Sequence, residues 1–289
     1  MASLQDIRRR IRSVQSTQKI TSAMNMVATS RLRRAKEAAT SNKPYADKTA
    51  EVVREIASNA TDFSHPMLAV HETGKKVILV LTSDKGLAGA YSSNVCKAAA
   101  AQVEDKSNTE IVVVGRKGRD FFRNRNYNIV KDYTGMSEKP KYEYAQAIAR
   151  YLMERFESGE VKEIEMLYTR FVSAITCVPE VVELLPFKAA EKNESTKSID
   201  GGYKTEYIYE PSAEAVLNHL LPQYLVTVIY ASMLQSAASE LSSRMNAMSN
   251  ATDNAGELIE TLNLHYNKVR QAGITNEITE IVSGANALA

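Results

Sequence analysis

The sequence predicts a mixed α+β and α/β fold: a long antiparallel coiled coil of the N- and C-terminal helices, with an α/β domain inserted between them. Three observations point there. Apolar and small residues step by three and four through both ends of the 289-residue chain, short runs of β-branched residues fill the middle, and no proline follows Pro222.

At the N-terminal end, Leu4, Ile7, Ile11, Val14, Gln18, Thr21, Asn25, Ala28, Leu32 and Ala35 form a heptad seam on one long helix. Pro44, after Ser41-Asn42-Lys43, is expected to kink or end it, and Val52, Val53 and Ile56 start a further short helical piece. In the middle, Val77-Ile78-Leu79-Val80-Leu81 and Ile111-Val112-Val113-Val114 read as strands buried on both faces, each followed by a turn and a helix. Ala145, Ile148, Leu152 and Phe156 give a helical stripe, and Val161 to Phe171 and Ile175 to Leu185 read as later strands of a largely parallel, Rossmann-like sheet. Residues 189–204 are a polar loop. Pro211 suits a first helical turn, Pro222 bends the helix early, and Leu234, Ala238, Leu241, Met245, Met248, Thr252, Ala255, Ile259, Leu262, Tyr266, Val269 and Gly273 extend a second seam. The expected segments are 1–58 for the first shaft helix with its continuation, 59–211 for the α/β foot and 212–289 for the second shaft helix.

The two seams also predict a register. If Pro44 and Pro222 lie side by side, facing residues have numbers summing to about 266, so that Ile7 meets Ile259, Gln18 meets Met248 and Thr21 meets Met245. All eight layers from Leu4–Leu262 to Ala28–Ala238 then coincide, and the second helix is unpaired beyond Leu262.

Composition excludes several classes. Hydrophobic residues at 44% and charged residues at 24% are the balance of an ordered protein. The net charge of +2 conceals nine Lys or Arg against the single acid Asp6 in residues 1–36, so this end should seek an acidic partner surface. Arg8, Arg9, Arg10, Arg12, Arg31, Arg33 and Arg34 are interleaved with seam residues and lack aromatics before Tyr45, which favours a protein partner over nucleic acid. Cys96 and Cys177 form no CxxC pair, and the four histidines have no ligand spacing, so no metal, cofactor or disulfide framework is expected. No apolar run approaches the roughly 20 residues of a membrane span, so membrane association is expected only through partners. The turn Ser83-Asp84-Lys85-Gly86-Leu87-Ala88-Gly89-Ala90 sits where α/β proteins hold phosphates, yet it matches neither G-x-G-x-x-G nor the P-loop and reads as structural. No nucleophile and base constellation stands out.

The run Ile11-Arg12-Ser13-Val14-Gln15-Ser16-Thr17-Gln18-Lys19-Ile20-Thr21-Ser22-Ala23-Met24-Asn25-Met26-Val27-Ala28 resembles the start of ATP synthase γ subunits. Arg244-Met245-Asn246-Ala247-Met248, Ala251-Thr252-Asp253-Asn254-Ala255 and Tyr266-Asn267-Lys268-Val269-Arg270-Gln271, continuing through Ile274-Thr275 to Glu280-Ile281-Val282-Ser283-Gly284-Ala285, resemble that family's C-terminal helix. The resemblance implies a non-catalytic central-stalk rotor coupling transmembrane ion flow to ATP turnover, with the α and β subunits of the catalytic ring, the ε subunit and the c-ring as partners and no nucleic acid. It implies that Met24 and Arg244 lie near the lever region of β, that Arg270, Gln271 and Thr275 meet β's catch loops, and that Tyr207 and Glu210 approach ε and the c-ring. Where the family often has Gly-Leu-Cys-Gly-Gly, this chain has Gly86-Leu87-Ala88-Gly89-Ala90, which removes a thiol role there. With Met1 opening directly on the basic helix and no transit segment, a bacterial enzyme at the cytoplasmic face of the cell membrane is expected. The competing expectation is a coiled-coil scaffold or DNA-organising protein.

Overall fold

A computed structural model describes residues 4–59, 65–187, 210 and 212–288. Their order is α1 (Leu4–Asn59), a 3-10 turn (Pro66–Leu68), β1 (Lys75–Leu81), α2 (Tyr91–Ala101), β2 (Thr109–Val114), α3 (Arg116–Arg123), β3 (Asn128–Tyr133), α4 (Tyr142–Glu157), β4 (Val161–Phe171), β5 (Cys177–Leu185) and α5 (Ala213–Leu288). Two compact units result, one from residues 1–30 and 244–289 and the other from residues 31–243.

The larger unit holds a five-stranded sheet in the order β3-β2-β1-β4-β5. β1 pairs parallel with β2 and β4, β2 pairs parallel with β3, and β5 returns antiparallel to β4. Side chains alternate across a strand, so the apolar runs split between two cores. Val77, Leu79, Leu81, Val112, Val114, Ile164 and Met166 pack with Val53 and Ile56 of α1, Ile148, Leu152 and Phe156 of α4, and Leu217, Leu221, Leu225, Ile229 and Met233 of α5. Ile78, Val80, Ile111, Val113 and Leu167 pack with Val95, Cys96 and Ala99 of α2 and Phe122 of α3. Both faces being covered explains why these strands read as continuous apolar runs.

Pro44 does not end α1, which runs on to Asn59. A proline removes one ladder hydrogen bond and crowds the preceding turn. Here the buried Ala39 before it and the buried Val53 and Ile56 after it supply burial that offsets the lost bond. Strand β3 was not expected from the sequence; its Lys131 and Asp132 are the charged residues that suit a sheet edge.

His65 caps the 3-10 turn, its Nδ1 accepting the Met67 N–H at 3.0 Å. Burial pushes its pKa down, with Glu157 partly opposing, so the neutral acceptor form is favoured. The cap therefore contributes fully above the ordinary histidine pKa of about 6.5 and is lost as pH falls through the lowered folded value. His65→Ala is expected to cost about 1 kcal/mol at pH 7.5 and to approach the unmodified chain at pH 4.5. Urea midpoints at both values check this; an equal gap at both would refute it.

Candidate functional site

Apart from a cleft of about 450 Å³ between α4 and α5, lined by Tyr142, Gln146, His219 and Pro222, two places at the strand ends of the larger unit invite a ligand. The first is the crevice where the strand order reverses, between β1 and β4, the usual ligand position of such sheets. It is filled from within. Leu81, Thr82, Tyr91 and Pro140 meet Met233 and Ser236 of α5 around a cavity of about 10 Å³, at the lower limit for one water. Ser239 Oγ donates to the Thr169 carbonyl at 3.0 Å and Ser242 Oγ to the Ala174 carbonyl at 2.6 Å, fixing α5 against β4 and the hairpin beyond it.

The second is a cavity of about 320 Å³ lined by Ser83, Lys85, Gly86, Ser92, Cys96 and Lys117. Its framing loops are tied by Asp84, whose Oδ1 accepts the Arg116 N–H at 3.3 Å and whose Oδ2 accepts the Ser137 N–H at 3.2 Å. Burial pushes this carboxyl up, but donors from Gly135, Ser137 and Arg116 outweigh burial and hold it below the usual range. It is thus an anion engaged in joining loops where a nucleotide fold would place phosphate. Glu138 draws in Lys85 and Arg31, each at 3.0 Å, so Lys85 is engaged as well. Burial pushes the Cys96 thiol up to about 12, outweighing Arg125, which makes it a poor nucleophile. Among the described residues no His, Cys, Asp and Glu cluster could hold a metal, and no helix is long and apolar enough to cross a membrane. Calorimetric titration of the full chain with Mg-ATP is expected to give no submicromolar binding, and binding at that level would overturn this account of both cavities.

The smaller unit presents its surface differently. Every seam position from Leu4 to Ala28 is buried or half-buried, as is every one from Met245 to Gly273. Antiparallel pairing is carried by Thr252 Oγ1 donating to Thr21 Oγ1 at 2.8 Å, by Asn25 Nδ2 donating to the Met245 carbonyl at 3.4 Å and by Gln18 Nε2 donating to the Thr252 carbonyl at 3.5 Å. The Arg8 guanidinium lies 5.5 Å from the centre of the Tyr266 ring and donates to its hydroxyl. These partners correct the expected register. Facing residues have numbers summing to about 273, one heptad from the 266 that the prolines indicated. Pairing consequently reaches Tyr266 and does not stop at Leu262.

Met24 is half-buried and Arg244 is buried, and the Asn25–Met245 bond joins the two segments that carry them. Arg270, Gln271 and Thr275 are exposed on α5, beyond the Arg8–Tyr266 contact. Glu210 is exposed in the larger unit, and Tyr207 lies outside the described residues. The structure therefore joins the segments of Met24 and Arg244 and places Arg270, Gln271 and Thr275 on one helical tip. Sequence reasoning missed the hydrogen-bonding role of Gln18, Thr21 and Asn25; their polarity at three successive seam positions was the available signal.

The described residues define a class of protein in which a helical pair with an exposed tip accompanies an α/β unit whose crevice its own helix fills. Comparison with known proteins agrees. A family model described as ATP synthase matches residues 3–288. The ATP synthase gamma chain of Pelotomaculum thermopropionicum is 44% identical over 289 residues, with 100% of each chain covered, and that of Desulforamulus reducens is 43% identical over 288 residues with the same coverage. A rotor structure of the Euglena gracilis mitochondrial ATP synthase shares the fold, with a TM-score of 0.67 at 16% identity, covering 94% of this chain and 98% of that one. The chain belongs to the ATP synthase gamma-chain family, as a non-catalytic subunit.

Proposed function

We propose that the chain is the central-stalk rotor of an ATP synthase, coupling transmembrane ion flow to ATP synthesis or hydrolysis at a ring of α and β subunits, and contacting ε and the c-ring through its α/β foot. The observation that carries this reading, beside the family, is the end of α5. Ile274, Ile278, Ile281 and Val282 follow helical spacing and are exposed, an apolar stripe that calls for a protein sleeve. Met24 and Arg244 are assigned to the lever region of β, Arg270, Gln271 and Thr275 to its catch loops, and Tyr207 and Glu210 to ε and the c-ring. On this reading residues 1–58 and 212–289 are the shaft and 59–211 the foot.

The mechanism is a population shift. Each β conformation is favoured by a different face of an asymmetric shaft, so turning the shaft changes their relative free energies without chemistry on the shaft itself. The basic N-terminal helix, with Arg8, Arg9, Arg10 and Arg12 exposed, suits acidic surfaces on the ring. The complex sits on the cytoplasmic face of the cell membrane, and this chain reaches the membrane only through its partners. Native mass analysis of the purified assembly is expected to find one copy of this chain with three α, three β and ε. Recovery of the chain in a complex lacking α and β would overturn the proposal.

A further inference from the structure

We propose that Gln18, Thr21 and Asn25 act as a register lock: three successive polar layers that select one heptad pairing of the two helices over the neighbouring one. The seams alone do not choose, because a slip of seven residues moves the helices by about 10 Å and returns every seam position to a seam position. The register expected from the prolines, with facing numbers summing to about 266, is such a slip of the one the structure holds.

The polar layers distinguish the two. In the observed register Thr21 meets Thr252 hydroxyl to hydroxyl at 2.8 Å, while Thr21 Oγ1 donates onward to the Gln18 carbonyl at 3.0 Å. Gln18 and Asn25 reach carbonyls of the opposite helix, those of Thr252 and Met245. A helical carbonyl points towards the following turn, so these two bonds belong to the same alignment as the Thr21–Thr252 layer. Gly256 supplies a second, independent sign. A Cβ built there would lie 3.3 Å from Gln18 Nε2, so the amide occupies space that the missing side chain leaves. In the slipped register Gln18 would face Met248 and Thr21 would face Met245, thioether side chains that accept hydrogen bonds only weakly. The hydroxyl-to-hydroxyl contact of Thr21 with Thr252 would then be lost and the Gln18 amide would meet Ser249 where Gly256 now leaves space, whereas the apolar layers would be indifferent. The consequence for the proposed contacts is direct, because a slip would shift Met24 and its neighbours by about 10 Å along α5. The lock involves only the helical pair and does not depend on the partner.

The test is disulfide trapping in the full chain with Cys96→Ala and Cys177→Ser. Ile7→Cys is combined either with Tyr266→Cys, its partner in the observed register, or with Ile259→Cys, its partner in the slipped one. Disulfides require Cα separations of roughly 4.4–6.8 Å, so the two registers are resolved. With the polar layers intact, the 7–266 pair is expected to exceed 7–259 by about tenfold or more on mild oxidation. With Gln18→Leu, Thr21→Val and Asn25→Leu together, 7–259 should rise to within about threefold of 7–266. Single Asn25→Leu and Thr21→Val variants, checked for helicity by circular dichroism, should each move the ratio the same way by a smaller factor, and Thr21→Ser should not move it. These keep the proposal open to refutation if the triple variant fails to fold. An unchanged preference for 7–266 in the triple variant, or in both singles, would show that the register is set elsewhere.

Discussion

Replacing Arg270 and Gln271 together by alanine is expected to lower ATP synthesis by assembled complexes about tenfold or more, with assembly changed by less than about twofold. Both side chains are exposed, and Arg270 makes no ion pair among the described residues, so the chain does not depend on either for its own stability. Exposed substitutions away from caps and networks usually change stability within about 0.5 kcal/mol. A guanidinium and an amide on a bare helical tip are suited to charge-assisted bonds that form in some rotational states and break in others, and such state-dependent contacts are what torque transfer requires. Coupled synthesis and uncoupled hydrolysis, measured on complexes of equal subunit content, separate this effect from an assembly defect. Unchanged synthesis would remove the proposed role while leaving the family assignment intact.

Gly115→Ala is expected to unfold the larger unit. Gly115 joins β2 to α3 with φ of +100°, and an added Cβ would lie 2.4 Å from the Thr82 carbonyl oxygen and 2.7 Å from its carbon. Both are backbone atoms of the chain just beyond β1, where Thr82 N donates to the Val114 carbonyl at 2.8 Å, so relief requires parting two central strands. Positive φ and a backbone clash together should cost about 4 kcal/mol or more, a large share of the roughly 5–15 kcal/mol that holds a typical domain. Gly135→Ala is the control. Its φ of +82° carries the conformational penalty alone, since nothing lies within 4 Å of the built Cβ, and about 1–2 kcal/mol is expected. Urea midpoints and near-ultraviolet dichroism read both variants. Equal losses would mean that the close approach to Thr82 is not what selects glycine at 115.

What could be read from the sequence, and what could not, follows from how locally each feature is encoded. The runs Val77–Leu81 and Ile111–Val114 announced central strands because burial on both faces leaves no polar position in them. The seams were legible because heptad spacing is a property of each helix by itself. Strand β3 was not, since an edge strand with Asn128, Lys131 and Asp132 has the composition of a loop until a neighbour pairs with it. Register was missed for a different reason. It is a relation between two distant segments, and the prolines that seemed to mark it do not: Pro44 lies inside α1 and Pro222 inside α5, and neither ends its helix. Of the surfaces assigned to partners, the bare tip at Arg270 and beyond was foreshadowed by small residues near the end, whereas the filling of the sheet crevice by Met233 and Ser236 required the fold.

The core that joins the first and last thirds of the larger unit has a bearing on how the chain is made. All five strands have been synthesised once Leu185 is added, but one face of the sheet still lacks Leu217, Leu221, Leu225, Ile229 and Met233. At about 5–20 residues per second, the intervening stretch of some fifty residues takes several seconds to arrive. Throughout that interval Leu79, Val112 and Met166 belong to an incompletely covered apolar surface on a nascent chain, the condition in which chaperone capture competes with aggregation. Slowing translation over residues 186–243 should therefore lower the yield of soluble chain more than slowing it near the end of α5, when the larger unit already has every residue it needs.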